Sequence, residues 1–187
     1  MNEIIKNIKE SIRLKQDFIN NPKNIETLDT IINLVSEKHK NGYKAITCGN
    51  GGSACDAMHY AEELTGRFRK DRAALAAIAL TDPSYITCVA NDYGYENVFS
   101  RGIEALGQEN DYLIAISTSG NSPNVIKAVE AAKKKKMLTI GLLGKDGGVL
   151  KDMVDYSLII PGDTSDRIQE IHILIIHTII EGIEYDM

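Results

Sequence analysis

From Lys44 onward the chain alternates short, almost continuously apolar runs with helical patterns, and few folds accommodate that alternation. The runs occupy residues 45–48, 74–80, 112–117, 138–143 and 156–160. Near-continuous hydrophobicity over so few residues predicts strands buried on both faces, the condition of a parallel sheet covered by helices. The expected fold is α/β: a three-layer α/β/α sandwich on a five-stranded parallel sheet. Two helical patterns precede the first strand. Ile4, Ile8, Ile12 and Ile19 fall near one helical face, with Pro22 expected as a stop signal. A second pattern through Ile25, Leu28, Ile31, Ile32 and Val35 ends at Asn41-Gly42, a favoured helix terminus. The whole chain of 187 residues fits one domain, an N-terminal helical hairpin over 1–42 and an α/β core over 43–187. The isoleucine face of the hairpin suits either the sheet or another subunit.

Bulk properties exclude several function classes. A net charge of -5 argues against a general nucleic-acid binder, because affinity for a phosphate backbone needs a basic surface. The run Lys133 to Lys136 closes a predicted helix and reads as a solvated C-terminus. Cys48, Cys55 and Cys88 are odd in number and lack metal-ligand spacing, so free thiols acting as small core residues in a reducing compartment are expected. The N-terminus mixes charge into its apolar positions, and the apolar run near residues 173–180 is interrupted by His177. The expectation is a cytoplasmic protein with no membrane contact.

Chemistry concentrates at two loops and the tail. Residues 49–53, Gly-Asn-Gly-Gly-Ser, break the first strand and open a helix that places His59 and Glu63 four residues apart. That spacing puts an imidazole and a carboxylate on one helix face, where both can reach one metal or one substrate. Glycines allow close approach of a ligand, and the helix N-terminus favours an anion or sugar hydroxyls. The second loop, Ser117-Thr118-Ser119-Gly120-Asn121-Ser122, gathers four hydroxyls and free backbone donors before a helix starting at Pro123. It can surround a phosphate without a lysine, which reconciles an acidic chain with an anionic ligand, and it is the better of the two phosphate cradles. Asp82-Pro83 and Ser122-Pro123 share one grammar, an N-cap residue followed by proline at the first helical position. The tail from Asp166 to Tyr185 reads as a helix apolar almost all round, buried in the monomer or between subunits. Within it Gln169 and His177 can face one site, whereas His172 reads as a hydrogen-bonded core residue. His39, at the charged end of the second helix, is expected at the surface.

These features together resemble the SIS (sugar isomerase) family. The blocks CGNGGSACDAMHYAEELTGR, VANDYGYENVFSR, ISTSGNSPNVIKA, GLLGKDGG and DRIQEIHILIIH keep the order of its phosphoheptose isomerase branch along nearly the whole chain. The resemblance implies an aldose-ketose isomerase acting on a phosphorylated seven-carbon sugar through an enediol(ate). It implies Glu63 and His177 as the catalytic pair and a zinc ion, one per subunit, on His59, Glu63, Gln169 and His177. Phosphate would sit on Ser117, Thr118, Ser119 and Ser122. The sugar would be held by Asn50, Gly51, Gly52, Ser53, Asn91 and Asp92, with Glu63 and Gln169, and by Arg67 and Asp166 from their positions. A homotetramer with sites between subunits is implied as well. Two alternatives remain open here: a non-catalytic SIS sugar-phosphate sensor or replication-initiator-binding protein, and an isomerase of another phosphosugar.

Overall fold

The computed structural model describes residues 2–187. Helices α1 (Asn2–Ile19) and α2 (Pro22–Lys40) form the hairpin. Pro22 begins the second helix as well as separating the two, with Asn21 as a cap that accepts the Lys23 N–H at 3.1 Å. Five strands follow: β1 (Ala45–Gly49), β2 (Ala77–Ala79), β3 (Tyr112–Ser117), β4 (Leu138–Gly144) and β5 (Tyr156–Ile160). All pair in parallel, in the order β2-β1-β3-β4-β5. Between them lie α3 (Gly52–Thr65), α4 (Pro83–Tyr93), α5 (Val98–Leu106) and α6 (Pro123–Lys134), and α7 (Ser165–Asp186) closes the chain.

Alternation along each strand builds two cores. Tyr112, Ile114 and Ile116 of β3 face one layer, packed with Leu14, Ile31, Tyr60, Leu64 and the isoleucines of α7. Leu113 and Ala115 face the other, with Val89, Phe99, Ile103, Val125 and Val129 from α4, α5 and α6. The layers are therefore α1, α2, α3 and α7 on one side of the sheet and α4, α5 and α6 on the other.

Three sequence expectations need correction, and one open alternative is narrowed. The apolar run at 74–80 yields only a three-residue strand, and it is an edge strand with Ile78 39% exposed. Alanine-rich apolarity marked a strand here without marking two covered faces. The isoleucine face of α1 does not cover the sheet: Ile4, Ile8, Ile12 and Ile19 are exposed, and Leu14 and Phe18 are the buried residues of that helix. Only Cys48 is a core thiol, its pKa pushed to about 12 by burial, whereas Cys55 and Cys88 are exposed. His39 is buried rather than at the surface, because the end of α2 folds down onto β3 and Nε2 meets the Tyr112 hydroxyl at 2.7 Å.

Among the described residues no helix is long and apolar enough to cross a membrane. The last helix is buried within this chain along most of its length, from Ile168 to Ile183.

Candidate active site

In a sheet of this order the chain reverses direction between β1 and β3, and crevices open beyond the carboxyl ends of the strands at such a switch. Cys48 and Gly49 lie opposite Ala115 and Ile116, so the two loops singled out from the sequence leave the sheet side by side. Asn50 crosses the gap. It exchanges two amide hydrogen bonds with Asn124 of α6, at 2.9 and 2.8 Å, and accepts the Tyr95 hydroxyl at 3.0 Å.

The loop after β3 has its hydroxyls turned inward. Ser117 Oγ lies 3.1 Å from Ser122 Oγ and 3.4 Å from Ser119 Oγ, and Thr118 Oγ1 lies 3.0 Å from Ser165 Oγ at the start of α7. Ser122 is the N-cap residue of α6, yet its side chain makes no cap bond and turns to Ser117 instead, while Pro123 has no N–H and the Val125 N–H is taken by Asn124 Oδ1 at 3.0 Å. Gly120 adopts φ +65°, and a Cβ there would lie 2.0 Å from the Gly147 carbonyl oxygen. The Gly147-Gly148 turn after β4 buttresses the loop from behind: Leu150 N–H donates to Gly120 O and Val149 N–H to Asn121 Oδ1, each at 3.0 Å.

On the opposite wall, α3 presents His59 and Glu63 as the i, i+4 spacing requires, with His59 Nε2 3.2 Å from Glu63 Oε1. The distant tail joins them, because α7 packs on α3 and sets His177 Nε2 3.0 Å from His59 Nε2. Donor atoms of His59, Glu63 and His177 all lie within 4.8 Å of one another, and all three residues are half-buried. Two imidazole nitrogens and a carboxylate oxygen converging within that distance form a donor set that fits a divalent transition metal. Gln169 reaches the first turn of α3: its Nε2 is 3.5 Å from Ser53 Oγ, and its amide lies so close over Gly52 that a Cβ there would be 2.5 Å away. One helical turn before His59, Asp56 is buried and its pKa is pushed up to about 6 by burial, an effect that His59 partly offsets.

The remaining sequence-predicted residues are more open. Asn91 and Asp92 are exposed and bond each other at 2.8 Å near the end of α4. Arg67 is exposed just after α3, and so is Asp166 in the first turn of α7, its pKa lowered chiefly by the Thr164 hydroxyl. Several neighbours escaped the sequence reading. Asn124 and Tyr95 reach Asn50, Ser165 reaches Thr118, and Phe68 stacks on His177 with ring centroids 5.7 Å apart. Asn124 follows the hydroxyl loop almost directly, so its place is legible in the sequence; Phe68 lies in an irregular segment and Tyr95 opens a single 3-10 turn, where no periodicity points to a partner.

Comparison with known proteins fits this geometry. Residues 8–144 match the SIS domain family. A phosphoheptose isomerase of Fusobacterium nucleatum is 58% identical over 181 residues, covering 97% of this chain and 93% of that one. The chain belongs to the phosphoheptose isomerase family. A family member from Glaesserella parasuis is 49% identical over 186 residues, covering 99% of this chain and 97% of its own. The solved phosphoheptose isomerase of Neisseria gonorrhoeae superposes with a TM-score of 0.92 at 42% identity, covering 98% of both chains. Family membership thus extends over the hairpin, the sheet and the terminal helix alike.

Proposed function

We propose that this protein isomerises sedoheptulose 7-phosphate to D-glycero-D-manno-heptose 7-phosphate, the first step toward the nucleotide-activated heptoses of bacterial lipopolysaccharide or capsule. The observation that carries the reading is the convergence of His59, Glu63 and His177 beside a loop of four hydroxyls at the β1/β3 switch. The phosphoheptose isomerase relatives support the substrate.

Aldose-ketose isomerisation moves a proton between adjacent carbons while carbonyl and hydroxyl exchange. Ser117, Thr118, Ser119 and Ser122, with the α6 N-terminus, hold the phosphate, so binding energy at the remote end of the sugar positions the reacting carbons. Asn50, Gly51, Gly52, Ser53, Arg67, Asn91, Asp92, Asp166 and Gln169 hold the sugar hydroxyls. Glu63 takes the proton from C1 of the open-chain ketose, giving an enediol(ate). His177 supplies a proton to the C2 oxygen, takes one from the C1 oxygen, and helps return a proton to C2 as the aldose forms. His59, Glu63, Gln169 and His177 would hold one zinc ion per subunit, which when bound supplies Lewis-acid stabilisation of negative charge on oxygen.

The protein works as a cytoplasmic homotetramer, without nucleic acid or membrane, on this reading. Support for self-association comes from the exposed Ile4, Ile8, Ile12 and Ile19 and from an apolar groove of about 400 Å³ between α1, α2 and Leu174 of α7. Apolar surface of that extent is a common mark of an interface.

Incubation with sedoheptulose 7-phosphate, with and without a chelator, tests the reading. Heptose 7-phosphate should accumulate, and the chelator should slow it. Tight sugar-phosphate binding with no product in either arm would favour a sensor instead.

A further inference from the structure

On α7, His177, Glu181 and Glu184 stand at i, i+4 and i+7, so one stripe of helix carries the site imidazole and, one and two turns later, two carboxylates. Glu184 is buried, 5% exposed, at a helix end where a carboxylate would ordinarily be solvated. It accepts the main-chain N–H groups of Phe68 at 3.3 Å, Arg69 at 3.1 Å and Lys70 at 3.1 Å. Arg72 Nε adds a fourth bond at 3.2 Å, and Arg69 pairs with Glu181. Three consecutive amides wrapped on one carboxylate fix the loop after α3 to the end of α7.

Both ends of this clamp lead back to the reacting groups. Arg72 donates from its terminal nitrogens to the carbonyls of Glu63 at 2.7 Å, Leu64 at 2.9 Å and Ala73 at 3.0 Å, the first two lying in the last turn of α3 without helical partners. Phe68 lays its ring on His177, with centroids 5.7 Å apart and planes 29° from parallel, and the Arg69 guanidinium sits 5.1 Å from the same ring. An imidazole turns easily about its outer torsion, where the wells are broad, so a stacked ring is what selects one orientation. We propose that Glu184 is a positioning residue for the isomerisation. Through Phe68 it holds the plane of the His177 ring, and through Arg72 it holds the main chain of Glu63, so that the two groups face one substrate. The inference rests on the acid-base roles given above to Glu63 and His177.

Two variants and two readouts test it. Glu184→Gln keeps the size but turns an NH2 group toward main-chain donors, and Phe68→Leu leaves the clamp intact while removing the ring. For each, kcat and KM are measured on sedoheptulose 7-phosphate, and the His177 ring protons are followed by NMR, because the Phe68 ring current shifts them upfield. Both variants should return those protons downfield and lower kcat by about tenfold or more, the size of effect typical of residues that orient site ligands. KM should change less than kcat, since the phosphate loop lies on β3 and α6, away from the clamp, and of the sugar contacts Arg67 alone adjoins it in sequence. A folded Glu184→Gln protein with unmoved His177 protons and wild-type kcat overturns the proposal, whatever its melting temperature. Should Glu184→Gln not fold, Phe68→Leu decides, and wild-type kcat there overturns the role of the stacked ring. Should the wild-type protein turn over no heptulose phosphate, the proposed function falls, while unmoved His177 protons in either variant would still refute the clamp.

Discussion

The four histidines of this chain divide into two regions of the same helical layer, and the division separates structure from chemistry. His39 and His172 lie in the interior. His39 meets the Tyr112 hydroxyl, which in turn meets Tyr60 at 2.9 Å, and His172 donates from Nε2 to the Leu143 carbonyl at 3.1 Å. Each has a partner supplied by the fold, and burial lowers each pKa to about 4, so both stay neutral. His59 and His177 instead stand half-buried with their Nε2 atoms turned toward one another and toward Glu63. Imidazoles facing Nε2 to Nε2 can either share one proton between those nitrogens or, with their protons on Nδ1, direct both lone pairs at one cation. The interior rings are each tied to the fold through Nε2, although His172 Nδ1 is buried without a partner, whereas the Nε2 atoms of His59 and His177 are turned to one another and to a carboxylate.

The sharpest way to break the comparison is Glu63→Gln, which removes the carboxylate beside His59 and His177. It should cost about 10³-fold in kcat with an unchanged melting curve. Activity within tenfold of wild type would remove Glu63 as the base.

Acidification addresses the interior pair. Their folded pKa values of about 4 lie below the ordinary 6.5, so between these limits the unfolded chain binds more protons and stability falls as pH falls. The loss should begin near pH 6.5 and level off as the folded pKa is passed, amounting to about 3 kcal/mol for each histidine. Denaturant melts at pH 7 and pH 4.5 measure the net effect, which Asp56 partly offsets because its pKa, raised to about 6, adds stability as pH falls through the same window; a rise in stability on acidification would mean that these rings are not held neutral.

Exchanging the two regions within one helix sharpens the contrast further. His177→Asn should lower kcat about 10²-fold and leave the melting temperature nearly in place. His172→Asn should do the reverse, lowering stability while leaving KM and kcat of the folded fraction as they are. Equal effects on both properties from both variants would erase the distinction.

The same logic extends to the two strand-to-helix junctions, with smaller effects. Asp82 caps α4, accepting the Tyr85 N–H at 2.7 Å, whereas Ser122 leaves α6 uncapped and turns its hydroxyl to Ser117. Asp82→Ala should lower the melting temperature by about 3 °C without changing KM. Ser122→Ala should barely move the melting temperature and should raise KM for the sugar phosphate by up to about tenfold, through the loss of one hydrogen bond to a charged group. Titration of KM and melting temperature for both variants reads the difference.

Much of this arrangement was legible from the chain. Strands β3 and β5 run over the expected residues because their apolar runs are bounded by turns, and parallel pairing follows from the helices between them. The i, i+4 placement of His59 and Glu63 and the hydroxyl loop before Pro123 are local, and local geometry is set by helix period and turn chemistry. The pairing of His177 with these residues entered only through family resemblance, since periodicity tells which residues share a face and is silent about what another element sets opposite. His39 illustrates the limit: a charged helix end reads as surface until β3 brings Tyr112 against it. The amino-acid sequence by itself determined the elements, their layering and the chemistry each loop can offer. Only the tertiary structure decided which of those groups meet. The 3.0 Å contact between His59 and His177, 118 residues apart, and the loop held by Glu184 depend on the packing of α7 against α3, a property of neither helix alone.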